Sequence, residues 1–118
     1  MKKGIDLPEE TISQLISIFG AYPEIERVII FGSRVLGNAK SGSDIDCAFS
    51  GKILTAQHVG RIQSYLEEET LLPYFFDCVH LESTENRELL AHIHDYGKVL
   101  YERSQKIPRA CNIERWPY

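Results

Sequence analysis

The sequence predicts an α/β domain built on one small sheet flanked by helices. Three observations carry this reading. Short runs of branched and aromatic residues, "IERVIIF", "DIDCAFS" and "YFFDCVHL", have the length of strands. Stretches of helical period lie between and around them, and glycine or proline stands at most of the junctions. A chain of 118 residues with 43% hydrophobic content suits one domain with a substantial core and is too small for two.

The elements follow in order. Pro8 to Phe19 places Ile12, Leu15, Ile16 and Phe19 at helical spacing, with Pro8 and two glutamates in the first turn and Gly20 at the end. Ile25 to Phe31 is an apolar run that stops at Gly32, as expected of a buried strand near the sheet centre. A short helical turn is expected around Arg34 to Leu36, closed by Gly37-Asn38 and followed by a Lys-Ser-Gly-Ser loop. Asp44 to Ser50 alternates and ends at Gly51, giving a second strand. Thr55 caps a helix whose stripe is Val59, Ile62, Tyr65 and Leu66, despite Gly60. Tyr74 to Leu81 is a third strand. Ser83 to Gly97 opens on Ser/Thr, carries Leu89, Leu90 and Ile93 on one face, and stops at its glycine; Lys98 to Glu102 follows as a short edge strand. Residues 1–102 form the domain, and 103–118, with two prolines and no period, form a tail.

Composition excludes several classes. A net charge of −4 and a pI near 5.5 argue against binding nucleic acid by bulk electrostatics. No apolar segment reaches the length of a membrane span and the N-terminus has no signal-peptide core, so the expected location is the cytoplasm. Cys47, Cys78 and Cys111 fit neither a disulfide framework nor a zinc pattern; Cys47 and Cys78 read as small core residues in a reducing compartment.

The chemistry concentrates between Phe31 and Phe49. Residues two apart on a strand share a face, so Asp44 and Asp46 present their carboxylates together while Ile45 and Cys47 point the other way. Two such carboxylates repel unless a cation lies between them, and oxygen-only ligands select a hard ion, Mg²⁺ or Mn²⁺. Asp77 is the only acid in an apolar run; if the third strand neighbours the second, it completes a three-carboxylate cluster for two ions. Gly32 allows a phosphate to approach the backbone, and Ser33 and the amides opening the next turn can bind phosphate oxygens. Arg34 is a candidate to neutralise further triphosphate charge, and Lys40 a weaker one. A Gly-Ser turn alone, or Ser-Asp-x-Asp alone, is commonplace. Their spacing, ten residues apart and joined by Asp77, gives the constellation its weight.

Other residues carry less. His92 and His94 are two apart on a helix and point to different faces, so they read as surface or partly packed residues and not as a metal pair. His58 and His80 have no evident partner, Glu67 to Glu69 read as a solvated helix end, and the tail, with Trp116 and Tyr118, is either a docking segment or unstructured.

The constellation resembles the nucleotidyltransferase superfamily typified by DNA polymerase beta, whose signature is Gly-Ser, ten residues, Asp-x-Asp and a later Asp on a neighbouring strand. The closest likeness is to its minimal nucleotidyltransferase (MNT) family of MntA-type antitoxins, carried by "VIIFGSR", "SGSDIDCAF", "FFDCVHL" and "HDYGKVLYER". The resemblance implies a small mixed β-sheet flanked by helices, of α+β class. It implies Mg²⁺, two ions, on Asp44, Asp46 and Asp77, with Asp77 also helping to deprotonate the acceptor, and ATP or another nucleoside triphosphate on Gly32, Ser33 and Arg34. It implies transfer of AMP from ATP to a tyrosine of a partner HEPN-domain toxin in a toxin–antitoxin pair. Family members commonly carry a second basic residue where this chain has Leu36, and leucine where it has Cys47; Lys40 matches a frequently basic position. The alternatives are an antitoxin that masks its toxin by contact alone and a transferase acting on a small aminoglycoside-type hydroxyl, which would need dimerisation to build a second lobe. Homo-oligomers remain open.

Overall fold

The computed structural model describes residues 4–40 and 42–103. Of the predicted tail, 103–118, residues 104–118 lie outside them; Arg103 is tied to the domain, its amide donating to the Glu26 carbonyl at 2.8 Å and its guanidinium to those of Ile25 and Tyr22 at 3.1 and 2.9 Å. Four helices and four strands follow one another as α1 (Glu9–Gly20), β1 (Arg27–Phe31), α2 (Ser33–Leu36), β2 (Ile45–Ser50), α3 (Ala56–Glu68), β3 (Phe76–His80), α4 (Arg87–Tyr96) and β4 (Lys98–Glu102). The sheet has the order β3-β2-β1-β4. β1 is therefore central, as its continuous apolar run predicts, and β4 is an edge strand.

Connection length sets the strand directions. β1 is antiparallel to β2, which follows it through α2, and to β4, the last strand of the chain, whereas β2 and β3 are parallel and joined by α3, because parallel neighbours need a crossover. The sheet is thus mixed, and the adjacency of β2 and β3 places Cys47 beside Cys78 and Asp46 beside Asp77 in Cα register.

Alternation along the strands then divides the two faces. Val28, Ile30, Ile45, Cys47, Phe49, Phe76 and Leu100 belong to the larger core, which Ile12, Leu15 and Phe19 of α1 and Val59, Ile62 and Leu66 of α3 close. Phe19 meets Phe49 edge to face, with ring centroids 5.3 Å apart. On the opposite face Phe31 and Ala48 pack with Ile93 of α4, and Ile29, Val79 and Leu89 border them. Among the described residues no helix is long and apolar enough to cross a membrane.

Several local expectations change. Asp44 stands one residue before β2 and not within it. β3 is shorter than its apolar run and gives way to a 3₁₀ turn, Leu81–Ser83. α4 begins at Arg87, capped by Asn86, whose side chain accepts from the Leu89 amide at 3.0 Å; the Ser/Thr pair upstream lies outside the helix. His58 has a partner after all: its Nδ1 accepts from the Thr55 amide while Thr55 Oγ1 accepts from the His58 amide, a reciprocal cap at the start of α3. His80 likewise lies 2.8 Å from Ser83 Oγ. Glu67 is more than a solvated helix end, since its carboxylate accepts from the Phe76 amide at 2.7 Å and ties α3 to β3.

Candidate active site

The end of β1 and the beginnings of β2 and β3 meet at one rim of the sheet. There Phe31, Asp46 and Asp77 form a lateral row, Phe31 paired with Asp46 and Asp46 with Asp77. Residues in one lateral row of a sheet share a face. Asp46 and Asp77 therefore leave the face on which α4 packs, while Cys47 and Cys78 leave the other. Cys47 is buried, and its thiol is held well above its usual range by the Cys78 hydrogen bond and by burial.

Electrostatics record how close the acids are. The Asp46 carboxyl is pushed up to about 6, by burial first and then by the charges of Asp77 and Asp44, with His92 opposing them. Asp44 and Asp77 are exposed, whereas Asp46 is half-buried. The three sequence-predicted acids thus share one electrostatic neighbourhood. Among the described residues no group of three His, Cys, Asp or Glu side chains is already closed around a single point. The donor set nevertheless suits a hard divalent cation, being all carboxylate oxygen and mutually repulsive without one.

Gly32 follows Phe31 directly and meets this row. It adopts φ 77°, ψ −150°, and a Cβ there would overlap the Oδ2 atom of Asp46. Only glycine satisfies both the left-handed backbone and the missing volume. Ser33 opens α2, whose first turn is closed by the Val35 and Leu36 amides on the Gly32 carbonyl at 3.0 and 3.1 Å. Gly32 and Ser33 therefore stand at the carboxylate rim.

Arg34 is placed differently from its expected role. It is buried at 6% exposure, and its guanidinium donates to the carbonyls of Asp6 at 3.1 Å and Ser43 at 2.9 Å while lying 5.1 Å from the centre of the Tyr74 ring. The Asp6 amide returns a bond to the Arg34 carbonyl at 2.7 Å. Arg34 thus clamps the N-terminal segment, the loop before β2 and the approach to β3. Lys40 is exposed; its amide donates to Ser43 Oγ at 2.7 Å and shapes the same loop.

His92, expected to be a surface or partly packed residue, is half-buried at the rim, and Tyr96, which the sequence did not single out, lies beside it. His92 packs edge-on against Phe31 with centroids 6.0 Å apart, and the Tyr96 ring lies 5.3 Å from His92. The available signal was their i, i+4 spacing, which puts both on one face of α4. His94, by contrast, is exposed beside Asp95, which fits its expected surface role.

A four-stranded mixed sheet with four helices, carrying a Gly-Ser turn against in-register carboxylates, defines a single-sheet α+β domain of nucleotidyltransferase architecture. The model of the family described as "Polymerase beta, Nucleotidyltransferase" matches residues 13–106, and the chain belongs to that family. Among solved structures, a chain of a toxin–antitoxin complex with AMP-PNP is 24% identical, with a TM-score of 0.66, over 80% of this chain and 75% of the other. A chain of the toxin–antitoxin MntA-HepT is 21% identical over 83% and 75%, with a TM-score of 0.62. A chain of a complex between a tri-AMPylated Shewanella oneidensis HEPN toxin and its MNT antitoxin is 22% identical over 82% and 74%, also at 0.62. These likenesses establish a shared fold. Comparison with curated protein sequences gives no match.

Proposed function

We propose that this chain is an MNT-type antitoxin, a Mg²⁺-dependent nucleotidyltransferase of the cytoplasm that moves AMP from ATP to a tyrosine hydroxyl of a HEPN-domain partner. The observation that carries the proposal is the row Phe31–Asp46–Asp77 with Gly32 folded against Asp46, which sets two acids and the Gly-Ser turn at one rim. The partner follows from the fold shared with chains of MntA-HepT and MNT–HEPN complexes.

Asp44, Asp46 and Asp77 would hold two Mg²⁺ ions, and Mn²⁺ suits the same donors. The metal, when bound, supplies Lewis-acid polarisation of the phosphate and neutralises charge on the pyrophosphate. The Gly32 backbone and Ser33 hydroxyl hold phosphate oxygens. Asp77, on the outermost strand and exposed, takes the proton of the acceptor hydroxyl. The acceptor oxygen bonds to the α-phosphorus as the bond from that phosphorus to the β-bridging oxygen breaks, and pyrophosphate leaves. Such chemistry depends on positioning and charge compensation, which rigid strand ends provide.

One observation favours a second reading, an antitoxin acting by contact alone. The guanidinium of Arg34 is committed to backbone carbonyls, and Leu36 stands where a second cation would grip phosphate. Incubation with labelled ATP, Mg²⁺ and the HEPN partner separates the two. Transfer expects label on a partner tyrosine that is lost in D44N/D46N; label that persists in that variant overturns the assignment. Neutralisation of the toxin by D77N at wild-type strength favours contact alone.

A further inference from the structure

The rim just described has an aromatic border with no role in the phosphate chemistry. His92 and Tyr96 lie one turn apart on α4 with their rings 5.3 Å apart and tilted by 46°. His92 in turn meets Phe31, at 6.0 Å and 76°. Phe31 is the register partner of Asp46 and the chain neighbour of Gly32, so the border begins one residue from the phosphate turn.

Two further features distinguish it from buried packing. The Tyr96 ring is 52% exposed at the end of the helix, and neither ring nitrogen of half-buried His92 makes a hydrogen bond among the described residues. Its position is nonetheless fixed. Gly97 follows Tyr96, and a Cβ there would come within 2.5 Å of both an Ile29 methyl and the Ile93 carbonyl, so only glycine lets the end of α4 close onto β1. The Gly97 amide donates to that carbonyl at 2.8 Å. A pair of rings held by helix and sheet beside the acids presents a preorganised aromatic surface.

We propose that His92 and Tyr96 form the shelf on which the nucleobase of the bound triphosphate stacks. The proposal rests on the transferase reading above and names the subsite that reading leaves open. A triphosphate held at Gly32, Ser33 and the carboxylates must place its nucleoside close by, and the α4 border supplies π-faces there. Base–aromatic stacking tolerates every base and favours the larger purine surface.

Calorimetric titration of the full chain with Mg²⁺ and ATP, CTP or inorganic tripolyphosphate tests this. H92A/Y96A is expected to weaken ATP about tenfold, to leave tripolyphosphate within about twofold, and to erase any preference for ATP over CTP. H92F/Y96F, which keeps the rings, is expected to retain the wild-type ATP affinity. Tripolyphosphate binding doubles as the control for folding. Unchanged ATP affinity in H92A/Y96A, or a parallel loss of tripolyphosphate, overturns the shelf, as does an H92F/Y96F variant as weak as the alanine pair. Wild-type protein that binds tripolyphosphate as well as ATP also overturns the shelf and leaves the phosphate site standing, whereas wild-type protein that binds neither overturns the transferase reading itself.

Discussion

Asp46 and Asp77 stand in Cα register across the parallel strand pair, and Asp46 also lies against the α-carbon of Gly32. One carboxylate is therefore confronted by another acid on one side and by a turn with no side chain on the other. That arrangement is costly for an ionised, half-buried group, and the cost has measurable consequences.

The first concerns pH. The Asp46 carboxyl is raised to about 6, through burial first and then through Asp77 and Asp44, against an unfolded value of 3.8. Between those values the folded state binds the proton and the unfolded state does not, so stability falls as pH rises from about 4 to 6 and the full cost remains above 6. The shift caps the effect near ~3 kcal/mol, and partial exposure reduces it to about 1 kcal/mol. In EDTA, D46N is expected to melt about 4 °C above wild type at pH 8 and to match it at pH 4. Thermal melts at the two pH values check this; an equal gap at both would remove the electrostatic explanation.

Mg²⁺ should reverse that cost. A ligand that binds only the folded chain stabilises it by mass action, by about 2.7 kcal/mol at a hundredfold excess over Kd. Millimolar Mg²⁺ is expected to raise the wild-type melting temperature at pH 8 and to release a proton from Asp46 at pH 6. D46N and D77N should show neither response. Melting curves with and without EDTA, together with proton release measured by calorimetry in buffers of different ionisation enthalpy, report both.

The backbone at Gly32 gives a sharper prediction. An alanine there must occupy φ near 77° and drive its Cβ into the Asp46 carboxylate. Positive φ alone costs a non-glycine residue on the order of 1 kcal/mol, and the overlap adds to it, so G32A is expected to lose about 2–3 kcal/mol. Chemical denaturation should show the loss, and AMP transfer should vanish even where the variant is fully folded. G37A offers a comparison, since Gly37 has a similar φ of 86° with open space around its Cβ; it should pay the backbone cost alone and keep activity.

The same residues show what a sequence can disclose. Asp44, Asp46 and Asp77 stood out because acids in short apolar strands are expensive without a task, and Gly32-Ser33 because it ends such a strand. The element order followed from period and glycine. The register that sets Asp46 beside Asp77 did not follow, since it depends on α3 returning the chain parallel to β2. The engagement of Arg34 was hidden more deeply. Its partners, Asp6, Ser43 and Tyr74, are spread over the chain, and two of them act through backbone carbonyls that every residue type carries. The place of His92 at the rim was hidden for a related reason: it depends on α4 crossing the face that carries Phe31, which no local pattern encodes.

That clamp yields the last prediction. Arg34 joins three segments by two charge-assisted hydrogen bonds and a cation–π contact, and the Asp6 amide reciprocates. Lysine is a single point donor on a flexible stem and cannot hold both carbonyls in the geometry of a guanidinium fork. R34K is expected to cost about 2 kcal/mol and R34A about 3 kcal/mol, since the alanine also leaves two partly buried carbonyl bonds unmade and removes packing. The damage should be local before it is global: amide exchange should accelerate at Asp6, whose bond to the Arg34 carbonyl depends on the clamp, and in the loop that carries Ser43 into Asp44. Because that loop sets Asp44, R34K should weaken Mg²⁺ binding more than it weakens tripolyphosphate binding measured without metal. A guanidinium that instead grips phosphate would reverse the order, with tripolyphosphate affinity falling first and amide exchange at Asp6 unchanged.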